Sequence, residues 1–82
     1  MTCEKIMVIK ISQRSDKAPK VQTVLTEFGC IIKTRLGLHE AGEACSEVGT
    51  LILQLCGDED YQDLEKALNA IEGVKAKLVV LD

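Results

Sequence analysis

The sequence predicts an α+β sandwich in which two helices pack on one side of a four-stranded antiparallel sheet. Three observations carry this expectation. Apolar residues alternate or run together in four short segments, as strands require. Between them lie two stretches with apolar residues at helical spacing. The two kinds of segment follow one another as βαββαβ, and right-handed crossovers then put both helices on the same face. The expected strand order is 4-1-3-2, the ferredoxin-like arrangement.

Residues 3–11, CEKIMVIKI, read as the first strand. Ile6 and Val8 fall on one face, and Met7, Ile9 and Ile11 on the other, so both faces show aliphatic side chains. Ser12 to Asp16 reads as a polar turn, and a helix follows from about residue 17. Its stripe is Val21, Val24, Leu25 and Phe28, at i, i+3, i+4 and i+7. Ser15 or Asp16 is the expected cap. Pro19 is expected in the first turn, where its missing N–H costs nothing. Gly29 is expected to end the helix in the left-handed conformation.

The segment GCIIKTRLGLHE then runs with a period of two. Cys30, Ile32, Thr34, Leu36 and Leu38 share one expected face; Ile31, Lys33, Arg35 and His39 share the other. Residues 40–47, EAGEACSE, read as a hairpin loop. Residues 48–56, VGTLILQLC, read as the third strand, with Leu51, Leu53 and Leu55 on one face. A second helix is expected to open near Gly57-Asp58 or Asp60, with the stripe Tyr61, Leu64, Leu68 and Ile71 and Ala67 beside it. Gly73 ends it, and 74–81, VKAKLVVL, is the last strand.

The totals bound the function. A chain of 82 residues is one domain, 1–82, and a chain this small buries only roughly 60% of its unfolded surface. The net charge of −3 and the presence of only Phe28 and Tyr61 as aromatics argue against direct nucleic-acid binding, which needs a basic surface or a stacking platform. No apolar run approaches the ~18 residues that span a bilayer, and no signal peptide opens the chain. A cytoplasmic protein with no membrane contact is expected. Its four cysteines, Cys3, Cys30, Cys45 and Cys56, form no C-x-x-C pair, and reduced, mostly buried thiols are expected.

The sheet face away from the helices is expected to carry an apolar patch. The expected members are aliphatic residues of the first strand, Ile31, and Val48, Ile52 and Cys56. Such a patch usually marks an interface, and a homo-oligomer is expected, most simply a C2 dimer. The sheets would stack face to face, or edge strands would pair. Arg35, with Gly37 two residues along and Lys33 beside it, is expected on that face, lining a groove that takes an anionic ligand or a partner's acid. With one histidine and no triad or carboxylate pair, no catalytic residue is expected. The chain reads as a non-enzyme that needs no cofactor.

Two resemblances add to this. KVQTVLTEFGCII resembles the helix-and-strand pattern V-x-x-x-L-x-x-x-G-x-x-I of the ACT family of regulatory ligand-binding domains, through Val21, Leu25, Gly29 and Ile32. More of the chain resembles the family of small ACT-like iron-only hydrogenase system regulators. The piece G-x-I-I-x-x-R-[LM]-G is matched by Gly29, Ile31, Ile32, Arg35, Leu36 and Gly37. The piece I-x-G-V-x-[AV]-K is matched by Ile71, Gly73, Val74, Ala76 and Lys77. This resemblance implies a regulatory module that senses a small ligand or a partner protein, and it implies no catalytic residue. An alternative is a transition-metal sensor, because the fold is also that of the nickel-sensing domain of a repressor family with His and Cys ligands. His39 and Cys45 would then be ligands, joined by Glu40, Glu43 or Glu47 to approach the four that nickel or zinc needs.

Overall fold

A computed structural model describes residues 5–12, 14–39, 49–57 and 61–80. The elements are β1 (Lys5–Ile11), α1 (Arg14–Glu27), a 3₁₀ turn (Gly29–Ile31), β2 (Ile32–His39), β3 (Gly49–Leu55), α2 (Tyr61–Asn69) and β4 (Val74–Val80). The sheet order is β2-β3-β1-β4, and every neighbouring pair is antiparallel. This is the expected ferredoxin-like order, read from the opposite edge. No helix among the described residues is long and apolar enough to cross a membrane.

The core lies between the helices and one face of the sheet. Met7, Ile9 and Ile11 of β1, Leu53 and Leu55 of β3 and Val74 of β4 are buried there. Val21 and Leu25 of α1 and Tyr61, Leu64 and Leu68 of α2 join the same cluster, so both helices cover one face. Burying a side chain of this size is worth about 1.5–3 kcal/mol, and this single cluster is what fixes the two layers. The Lys5 ammonium sits 4.6 Å from the Tyr61 ring centroid at one end of the core, a cation–π contact. The Tyr61 hydroxyl is buried and has no hydrogen-bond partner among the described residues.

Local details differ from the expectations at three places. First, α1 begins at Arg14, so Ser15 and Asp16 lie inside it and Pro19 is an interior residue. Asp16 favours this early start, since a carboxylate in the first turn meets the positive end of the helix dipole. Second, Gly29 is not left-handed; among the described glycines only Gly57 (φ 98°) and Gly73 (φ 84°) are. The chain leaves α1 instead through Phe28 (φ −105°, ψ 20°) and the 3₁₀ turn, where Ile31 N–H donates to the Phe28 carbonyl at 3.2 Å. Gly73 does act as expected, turning the chain into β4, while its carbonyl accepts from Ser12 N–H at 2.8 Å.

Third, the cysteines are not uniformly reduced and buried. Cys56 is buried but disulfide-bonded, and Cys30 is free but exposed. Distance along the chain is no bar to pairing, because sheet register brings remote residues together, as Lys5 opposite Leu55 shows.

Candidate functional site

One face of the sheet is covered by α1 and α2, and no helix among the described residues lies on the other. The open face can be read row by row from the register. One row crosses all four strands as Leu36, Ile52, Val8 and Lys77. The next is Thr34, Gln54, Ile6 and Val79. On the other side of the first row lie Thr50, Lys10 and Lys75. Leu36 is 51% exposed, Val8 39% and Val79 37%. Adjacent strands are about 4.8 Å apart, so Leu36, Ile52 and Val8 form one apolar track with lysines at its β1–β4 end. A continuous track of this kind differs from scattered surface aliphatics, which are ordinary.

The membership of this patch departs from expectation in an instructive way. Ile32 pairs with Leu55, but Thr34 pairs with Gln54. Two steps along β2 thus match one step along β3, which is a β-bulge at Lys33. A bulge inserts one residue, and a one-residue shift sends every later side chain to the opposite face. Ile32 packs against the core, whereas Leu36 stands opposite Ile52 on the open face. Arg35 and Gly37, opposite Leu53 and Leu51, lie on the helix side.

Arg35 therefore lies off the open face, where plain alternation places it. Its Nη1 donates to Gln22 Oε1 of α1. The same Gln22 amide donates through Nε2 to Thr26 Oγ1 at 3.2 Å, and Thr26 Oγ1 donates to the Gln22 carbonyl at 2.9 Å. The guanidinium thus ties the edge strand to α1. Gly37 lies over Leu51, whose Cδ2 would be 3.5 Å from an added Cβ. Lys33 is exposed at the bulge. Two other expected patch members also move: Ile31 packs against the core, and Cys56 is buried beyond the end of β3, its N–H bonded to the Ile31 carbonyl at 2.8 Å. Val48 lies outside the described residues.

The candidate metal ligands are not brought together by what is described. His39 ends β2 opposite Gly49, while Cys45, Glu40, Glu43 and Glu47 lie outside the described residues. Among the described residues no group of His, Cys, Asp or Glu is arranged to hold a metal ion.

The β4 edge of the sheet carries a device that sequence reading missed. Ala76 N–H donates to Asn69 Oδ1 at 2.8 Å, and Asn69 Nδ2 donates to the Ala76 carbonyl at 3.0 Å. Two residues further along β4, Leu78 N–H donates to Glu65 Oε2 at 2.7 Å. Glu65 and Asn69 are one helical turn apart on α2, so they share a face of that helix. Together they occupy outward backbone groups that another strand would otherwise take.

No model of a known protein family matches the chain, and no curated protein does. Among solved structures, an uncharacterized protein from Thermotoga maritima, TM1266, is similar over 95% of both chains, with 28% identity and a TM-score of 0.81. The likeness extends over the whole layered arrangement described above.

Proposed function

We propose that the chain is a small regulatory module, not an enzyme, that works as a homo-oligomer and senses a small ligand or a partner protein. The single observation that carries this reading is the Leu36–Ile52–Val8 track on a sheet face that no described helix covers. Covering that track with a second copy would remove apolar surface from water at about 25 cal/mol per Å². The closed β4 edge argues for stacking of sheets over strand addition at β4. The resemblance to ACT-like hydrogenase regulators supports a role in control, and in this reading the protein works in the cytoplasm. Because cytosolic thiol pools reduce most disulfides, the Cys56 disulfide calls for assays in oxidising and reducing buffer alike.

Sedimentation equilibrium across a micromolar concentration range tests the reading. A species heavier than the 9.0 kDa chain is expected, and Leu36→Lys is expected to return it to monomer without unfolding it. A wild-type monomer at every concentration contradicts the proposal.

A further inference from the structure

The three lysines of the open face converge on one corner. Lys10 and Lys75 stand directly opposite each other on β1 and β4, and Lys77 stands opposite Val8. Directly opposed side chains on neighbouring strands begin only about 5 Å apart, and like charges so placed repel. None of the three ammonium groups makes a hydrogen bond or ion pair with another described residue. The described positions of this face include no Asp or Glu, although the chain has 13 acidic residues to 10 basic ones. A shallow depression lies at the corner, bounded by Val8 and the three lysines, with Ala76 and Asn69 at its outer rim.

Edge protection is the ordinary reason for lysine on an outer strand. It does not account for Lys10, which lies on β1 between β3 and β4. Nor does β4 depend on it, since Asn69 and Glu65 already occupy outward groups of that edge.

We propose that this corner binds a small, multiply charged anion of phosphate or polycarboxylate chemistry, and that its occupancy promotes assembly of two copies over the open face. The second half rests on the interface reading above. Whatever covers Val8 also crowds the flanking lysines, and an ammonium taken out of water without a counter-charge is costly. A bridging anion supplies that counter-charge through charge-assisted hydrogen bonds. Anion binding and assembly are then linked, each strengthening the other.

The test is calorimetric titration of the full chain with pyrophosphate and, separately, with citrate, at fixed ionic strength in chloride, with sedimentation velocity on the same samples. At least one probe is expected to bind saturably. Lys10→Gln and Lys75→Gln should each weaken it roughly tenfold, as expected for loss of one charge-assisted contact, whereas Lys20→Gln on α1 should not. The bound sample should dimerise at a lower protein concentration than the anion-free one, and the variant with Lys10, Lys75 and Lys77 all changed to Gln should dimerise without any anion as readily as the bound wild type. Absence of saturable binding by both probes, or equal affinity in the Lys10 and Lys75 variants, overturns the anion site. Dimerisation indifferent to bound anion overturns the linkage. A monomer under all conditions overturns the interface reading, while the titration still decides the anion site by itself.

Discussion

On the helix side of β1, Met7 and Ile9 are completely buried; on the other side of the same strand, Val8 is 39% exposed with Lys10 next along. The contrast repeats on β3, where Leu53 is fully buried between the helices and the sheet while Ile52 looks the other way. Both sides are rich in aliphatic carbon, so residue type alone does not separate core from surface. What separates them is cover: one side is roofed by helices that the chain supplies itself, and the other has the same greasy character with no described element to hide it. The lesson is that a strand buried by hydropathy need not be buried within one chain, and that the remainder is where association can act.

The sharpest way to break this comparison is to truncate matching residues on the two sides. Leu53→Ala leaves a cavity in a closed core and is expected to cost about 2–5 kcal/mol. Leu36→Ala removes a side chain that is half in water and is expected to cost less than about 1 kcal/mol. Urea denaturation of both, at a concentration where the protein is monomeric, compares them directly. Equal losses would mean that the open face is as well packed as the core.

Next in size is the sheet edge. Asn69→Ala removes both bonds to the Ala76 peptide groups and is expected to cost about 1 kcal/mol. It should also raise the tendency to aggregate, because the freed edge can pair with another strand; light scattering against time would show it. Unchanged stability and scattering would leave the Asn69 contacts without the role assigned here.

Tyr61→Phe tests the core from within. The hydroxyl is buried without a partner among the described residues, so removing it is expected to leave stability unchanged or raise it by up to about 1 kcal/mol. A clear loss in melting temperature would show that the hydroxyl is satisfied in solution. The smallest effect belongs to Arg35→Ala. It breaks the link to Gln22 on the helix side and is expected to shift stability by no more than about 0.5 kcal/mol. It should leave the sedimentation coefficient alone, whereas Leu36→Lys should change it. Loss of assembly in Arg35→Ala would put the functional surface on the wrong side of the sheet.

The layered arrangement was legible because each element's period agreed with its neighbours' and the order βαββαβ admits few chain paths. The apolar character of the open face was legible too, through Ile52 and through a first strand that is aliphatic on both faces. Its exact membership was not. Nothing in CIIKTRLGL marks Lys33 as an inserted residue, because leucine at 36 suits either face equally well. Counting by twos therefore carried Arg35 to the wrong side and Leu36 with it. The Asn69 and Glu65 contacts to β4 were hidden for another reason: they join residues whose closeness depends on how α2 lies against the sheet, which hydropathy does not encode. The lysine corner needed the register as well, since only pairing places Lys10 beside Lys75.

Methyl-resolved NMR reports on both sides of the sheet in a single spectrum. As concentration rises, resonances of Leu36, Ile52, Val8 and Val79 should shift together, while those of Met7, Leu53 and Leu55 stay in place. Shifts confined to the buried set, or no shift in either, would contradict the assignment of the uncovered side as the surface on which this protein acts.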